Sequence, residues 1–368
     1  MYVQAFNLST SGPADVSQLE TLIQQGTIHP ADVVCIIGKT EGNGGRNDFT
    51  RDLAMYAFED LFARHLGLSR AEVTQRIIFS LSGGCEGVVT PHIVVFTRAG
   101  TPQSERRSAK RLAIGTGFTR EFRPEEIGRI EQVVETSRVI HSIMEGMHLD
   151  SPKDVHFIQM KGAIPSFTYE DAQSALAEGR PLRSDMVYSR GASALGAALA
   201  VGEVDLLHLT DDSICQDWSK FSSVASCSAK PGLTRTEIMV MGNSAFWDGT
   251  LVINHGVLHD MLDVQSVRSV LNQLGFTFDM QLTPDQAADI IGVFAKSEAD
   301  PRGMIRGHRH TMLTDDDISD TRYSRCVLSS VLASILGKTS VYISTRAEHH
   351  GPSGGGTLSI IAQAQGRE

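Results

Sequence analysis

Three short apolar runs, each ending in a lysine, constrain this chain more than any other feature. They are DVVCIIGK ending at Lys39, DVHFIQMK ending at Lys161 and DIIGVFAK ending at Lys296. In each, an aspartate (Asp32, Asp154, Asp289) stands seven residues before the lysine, and the lysines are spaced by close to a third of the chain. Short runs rich in Val and Ile and bounded by polar loops read as buried strands. A lysine at the end of a buried strand needs a partner or a purpose, because burying an unpaired ammonium is costly.

The same order of features follows each lysine. A hydroxyl–arginine pair comes next (Thr50-Arg51, Ser189-Arg190, Thr321-Arg322), opening a segment whose apolar residues recur at three- and four-residue intervals and which glycine ends. A strand-like run carrying serine comes after it: RIIFSLSGG with Ser82, FSSVASCSA with Ser228 and SVYIST with Ser344. HIVVFTR, EIMVMGN and LSIIAQA close the three thirds. YVQAFNL, RLAIGTGF and LVINHGV open them, each followed by a helix near 16–25, 124–147 and 264–274. The repeat predicts three homologous units, 1–103, 110–247 and 251–368, joined by polar linkers at 99–110 and 243–250. The expected fold class is α+β: three sheet-and-helix units around a pseudo-threefold axis, forming a central β-barrel-like core with helices outside.

Composition removes several classes of function. With 33 basic against 43 acidic residues the chain lacks the basic surface that a nucleic-acid partner requires. No apolar run reaches the roughly 18 residues of a membrane span, and the N-terminus MYVQAFNLSTSGPAD lacks the pattern of a secretory signal. Five scattered cysteines, none in C-x-x-C spacing, read as reduced thiols of a cytoplasmic protein.

Three units packed about one axis would bring three lysines, three arginines and three serines together. Arginine offers a fixed fork of donors to planar acceptors. A lysine whose ammonium is desolvated loses its proton more readily and can serve as general base to a serine nucleophile. Such a set suits a small ligand with three acceptors around a ring. A metalloenzyme using His308, His310, His349 and His350 lacks helical H-E-x-x-H spacing. A dinucleotide site at GNGG (42–45) lacks the G-x-G-x-x-G pattern. A non-catalytic small-molecule binder on the same scaffold would keep the arginines but need no Lys–Ser pairs.

The segments GKTEGNGGRNDFTR (38–51), SGGCEGVVTPH (82–92), YSRGASALG (188–196), SSVASCSA (222–229), RGHRHTML (306–313) and AEHHGPSGGG (347–356) resemble the ring-opening amidohydrolases, the family of cyanuric acid hydrolase and barbiturase. The resemblance covers essentially the whole chain. It implies a cyclic amide hydrolase that opens the s-triazine ring of cyanuric acid to carboxybiuret, then biuret and CO2. The alternatives are a barbiturase producing ureidomalonate or a hydrolase of a related cyclic imide. It also implies a homotetramer and no cofactor for the chemistry.

By the same resemblance Lys161 and Ser228 are general base and nucleophile. Lys39 with Ser82 and Lys296 with Ser344 are supporting dyads. Arg51, Arg190 and Arg322 grip substrate oxygens, and the backbone N–H groups of Gly83, Ala229 and Thr345 sit beside the serines as donors. A structural magnesium or calcium ion is implied, with Glu298 as side-chain ligand and the turn at 347–355 (Ala347, His350, Gly351, Pro352, Gly355) as its further ligands. Several residues depart from the family pattern. Thr345-Arg346 replaces two glycines, Gly162-Ala163 replaces Cys-Pro, and His350 replaces a glutamine. Ser319, three residues before Arg322, stands at a specificity position that is Asn in cyanuric acid hydrolases and His in barbiturases. The NGG at 43–45 and the ASCS at 225–228 lean towards barbiturase, and Glu348 towards cyanuric acid hydrolase.

Overall fold

The computed structural model describes residues 1–365 except 46, 102 and 313–317, so Leu313 of the RGHRHTML segment and the last three residues of the third unit lie outside the described residues. Twelve strands form three four-stranded sheets. The first contains β1 (Tyr2–Ser9), β2 (Val33–Thr40), β3 (Ile78–Gly83) and β4 (His92–Ala99). The second contains β5 (Arg111–Phe118), β6 (Val155–Ile164), β7 (Ala225–Pro231) and β8 (Glu237–Ser244). The third contains β9 (Leu251–Leu258), β10 (Ile290–Ser297), β11 (Tyr342–Thr345) and β12 (Gly356–Gln363). Their orders are β1-β4-β2-β3, β5-β8-β6-β7 and β9-β12-β10-β11, so one topology occurs three times. In each sheet the first two pairs in this order are antiparallel and the last pair is parallel. β8 runs through Asn243 and Ser244, so the second connection begins later than the turn-rich sequence suggests.

The strands are legible in their residues. β2 reads VVCIIGKT and is buried at every position, as a strand covered on both faces should be. Six helices follow the expected positions: α1 (Ser17–Gln24), α2 (Phe49–Leu66), α3 (Ile130–Gly146), α4 (Met186–Ala200), α5 (Val264–Gln273) and α6 (Asp320–Leu336). On α2 the side chains of Ala54, Phe58, Leu61 and Phe62 are buried, one stripe at helical spacing. The helix begins at an Asp48 cap, whose side chain accepts from the Thr50 N–H, and ends at Gly67 with φ of 66°. α4 is built of small residues, MVYSRGASALGAALA, and packs closely on α3. A Cβ at Gly196 would stand 2.7 Å from the Thr136 Cβ. The long helix expected at 124–147 is a single turn at Pro124–Glu126 followed by α3, because the left-handed Gly128 (φ 68°) separates them.

A central apolar cluster joins all three sheets, with Phe96 of β4, Phe157 of β6 and Phe294 of β10 meeting at ring-centroid distances of 6.2 and 4.9 Å. Buried aromatic side chains of this kind each contribute on the order of 1.5–3 kcal/mol. Separate clusters lie under α1 and α2 and under α5 and α6. Among the described residues no strand ladder joins one sheet to another. The expected barrel-like core is therefore not a closed hydrogen-bonded barrel, and the sheets meet through side chains. No helix among the described residues is long and apolar enough to cross a membrane.

Candidate active site

The parallel strand pairs bring lysines and serines together. Lys39 is in register with Ser82 on β2 and β3, Lys161 with Ser228 on β6 and β7, and Lys296 with Ser344 on β10 and β11. Register partners on neighbouring strands project to the same face, so each lysine lies beside its serine. Lys39 Nζ donates to Ser82 Oγ at 3.3 Å and Lys296 Nζ to Ser344 Oγ at 3.1 Å. The third pair is not hydrogen-bonded. Lys161 Nζ donates to the Leu81 carbonyl at 2.9 Å, and Ser228 Oγ to the Met160 carbonyl at 3.4 Å.

These groups surround a cavity of about 510 Å3, lined by Ser82, Ser228 and Ser344 and by the neighbouring Gly83, Ala229 and Thr345. Of the three lysines, Lys161 lines it. Lys39 and Lys296 lie behind their serines at 1% and 0% exposure. Arg51 and Arg190, both near the N-terminal ends of their helices, also line it. Gly83 is required by close approach. A Cβ there would fall 1.6 Å from the Asp48 carboxylate, which caps α2 and accepts from the Gly44 N–H.

Arg322 requires correction. Its side chain is half exposed and faces Glu86 from outside the cavity at 3.7 Å. The arginine that lines the cavity is Arg325, one helical turn further along α6. The third segment contains two hydroxyl–arginine pairs, Thr321-Arg322 and Ser324-Arg325. The second matches Tyr188-Ser189-Arg190 in its preceding tyrosine, and that shared Tyr-Ser-Arg was the signal to follow. Ser319 moves with it. It caps α6 by accepting from the Arg322 N–H and does not line the cavity. Two further residues were not read as part of the site. Glu86 accepts a two-pronged bond from Arg325 and sits four residues past Ser82, as Glu348 sits four past Ser344. Arg346 lines the cavity with φ of 67°, a left-handed conformation that glycine adopts more readily than arginine.

Burial pulls all three lysines below the usual ammonium range. Lys39 and Lys161 fall to about 7 and Lys296 to about 8. After burial, the nearest arginine is the largest cause in each: Arg325 for Lys39, Arg51 for Lys161 and Arg190 for Lys296. Near neutral pH a substantial fraction of Lys39 and Lys161, and a smaller one of Lys296, is therefore the neutral amine.

The segment expected to hold a metal lies behind the third serine. Glu298 follows β10 directly, and burial together with the Glu348 carboxylate raises it to about 7. No hydrogen bond or ion pair to its carboxylate is found among the described residues. The turn folds back on itself, with the His350 N–H on the Ala347 carbonyl at 3.0 Å and the Gly355 N–H on the Pro352 carbonyl at 2.9 Å. A lone, largely buried carboxylate beside carbonyl-rich turns is a donor set that fits a hard cation. The side chain of His350 is turned elsewhere, its Nε2 accepting from the Cys227 N–H at 2.8 Å.

The family model described as amidohydrolase ring-opening protein matches residues 4–363. The chain belongs to the ring-opening amidohydrolase family. It is 46% identical over 99% of its length to all of the cyanuric acid amidohydrolase of Enterobacter cloacae. It is 41% identical over 99% of its length to all of the cyclic amide hydrolase of Azorhizobium caulinodans. A solved cyanuric acid hydrolase, described in terms of structural concatenation, superposes with a TM-score of 0.90 at 43% identity, covering 99% of each chain. This ring-opening amidohydrolase thus shares its relatives' architecture from end to end.

Proposed function

We propose that the protein hydrolyses cyanuric acid, opening the s-triazine ring to carboxybiuret, from which biuret and CO2 follow. One observation carries this reading: the serines of three register-matched Lys–Ser pairs face one cavity together with Lys161 and the helix-borne Arg51, Arg190 and Arg325, a set that fits a planar ring with three carbonyl acceptors. Its relatives' names agree.

Ser228 is the nucleophile in this scheme and Lys161 its general base. The neutral Lys161 amine takes the Ser228 proton as Oγ attacks a ring carbonyl, then returns it to the departing ring nitrogen. Water next releases the opened product from the serine ester. Backbone donors beside the serines and the forked arginines stabilise charge growing on the carbonyl oxygens. Apo contacts of Lys161 and Ser228 with backbone carbonyls would be exchanged for substrate contacts on binding. A magnesium or calcium ion held by Glu298 and the carbonyls of the 347–355 turn would neutralise a buried carboxylate and tie that turn to β10, without entering the reaction.

The same reading places the units 1–103, 110–247 and 251–368 about a pseudo-threefold axis and assembles the chains as a homotetramer, which light scattering checks. Purified protein assayed against cyanuric acid, barbituric acid and other cyclic imides tests the substrate. Turnover of cyanuric acid well above the others is expected, and turnover of barbituric acid alone would overturn it. For the cation, elemental analysis should find one metal per chain and chelation should lower Tm. An unchanged Tm with no metal bound would remove the ion from the scheme.

A further inference from the structure

Three of the cavity's arginines, Arg51, Arg190 and Arg325, stand on helices and differ in one respect that follows the chain. Arg325 binds Glu86 through two prongs, its Nη2 at 2.7 Å, with the two side chains 4% and 19% exposed. Arg190 binds Glu348 in the same manner at 2.8 and 2.7 Å, both side chains 6% exposed. In each case an arginine from one unit approaches the Lys–Ser pair of another, and that second unit supplies the carboxylate from the position four residues beyond its serine. Arg51 completes the cycle by approaching Lys161 and Ser228 of the second unit, yet no carboxylate clamps it there among the described residues.

The strands give the reason. β3 and β11 end one residue past their serines, at Gly83 and Thr345, so the chain turns and brings Glu86 and Glu348 to the cavity wall. β7 runs on to Pro231, paired with β6 as far as Ile164, and the fourth residue beyond Ser228 is Gly232. The carboxylate paired with Arg51 is Asp48 at 3.8 Å, already occupied by the N–H groups of Gly44 and Thr50 and the Thr50 hydroxyl.

We propose that Glu86 and Glu348 are positioning residues that fix and neutralise Arg325 and Arg190 as passive grips, and that the unclamped Arg51 singles out the Lys161–Ser228 pair for reaction. The inference rests on the reading of Ser228 as nucleophile and explains how near-threefold symmetry yields one reactive serine. The positive charge of Arg51, offset only by the looser Asp48 pairing, stabilises the oxyanion at the attacked carbonyl and favours the neutral Lys161 amine. The charges acting on Lys161 are Arg51 from α2, Glu237 from β8, Lys230 from β7 and Lys296 from β10.

The test compares charge with geometry. Arg51→Gln should lower kcat about 100-fold and move the acid limb of the kcat/KM profile to higher pH, because Lys161 then binds its proton more tightly. Arg51→Lys should return the limb to its wild-type position while KM stays high. Glu86→Gln and Glu348→Gln should raise KM about tenfold, more than they lower kcat, with the limb unmoved. A fluorophosphonate label, mapped by mass spectrometry, separates the two levels of the argument. Label on Ser82 or Ser344 would sink the reading of Ser228. Label on Ser228 with an unmoved limb in Arg51→Gln, or an equal shift in the glutamate variants, would sink the inference alone. Arg51 is the most exposed of the three arginines, at 23%, so its variants test the idea even if a clamp variant fails to fold.

Discussion

The Lys161–Ser228 pair and the other two Lys–Ser pairs occupy the same register in the same kind of sheet, yet they make different contacts. Lys39 and Lys296 hold their serines directly and are sealed from the cavity, each also donating to backbone carbonyls such as Ile343 and Thr345. Lys161 faces the cavity and gives its hydrogen bond to Leu81 in the first sheet. Two pairs are thus arranged as fixed donor systems, and one leaves both base and serine open to a ligand. Identical strand pairing is therefore compatible with unequal chemistry, because the strands set which residues are neighbours while the turns beyond them set what else is near.

The sharpest way to break the comparison is to remove each serine. Ser228→Ala should reduce kcat by at least about 10^4-fold, whereas Ser82→Ala and Ser344→Ala should retain more activity. A dead Ser82 variant beside an active Ser228 variant would reverse the assignment.

The next largest effect separates the two arginines of α6. Arg325→Lys loses a forked, buried contact and should lower kcat/KM about 100-fold. Arg322→Lys, half exposed and outside the cavity, should change it by less than about threefold. Equal effects would restore Arg322 to the site.

A third measurement is the pH profile. A base that must be neutral gives activity rising with pH through about 7 for Lys161, with roughly tenfold loss per unit below. Stability has the same sign. The folded lysines lose their protons near 7 to 8 and the unfolded ones near their ordinary 10.5, so within that window the unfolded state binds more protons. Stability contributed by these groups should therefore rise with pH from about 7 towards 10. A flat kcat/KM profile between pH 6 and 8 would remove Lys161 as the base.

The smallest effect concerns the residue at φ of 67°. Arg346→Gly and Arg346→Ala both lose the ion pair to Asp320 at 3.0 Å, so their difference reports the relief of backbone strain net of glycine's larger entropy loss on folding. The glycine variant should be more stable by about 1 kcal/mol, or on the order of 1–2 °C in Tm. Equal melting temperatures would contradict the strain.

Much was determined by the sequence itself. The Asp–Lys runs marked β2, β6 and β10, because Val, Ile and Phe buried on both faces leave no other local choice. The serine runs marked β3, β7 and β11, since Ser82, Ser228 and Ser344 recur at matching places in the order of elements. The family was legible for the same reason, in long segments that no packing needed to explain. Tertiary structure alone decided which of two arginines on α6 enters the cavity, because Arg322 and Arg325 lie three residues apart and only the helix's docking against the sheet tells inside from outside. It alone paired Arg190 with Glu348 and Arg325 with Glu86, contacts between distant segments that no local pattern encodes. It also decided that Lys161, and not Lys39 or Lys296, opens onto the cavity. The sequence sets all three lysines alike in buried strands, and only the packing of one unit against the next seals Lys39 and Lys296 while leaving Lys161 at the cavity wall.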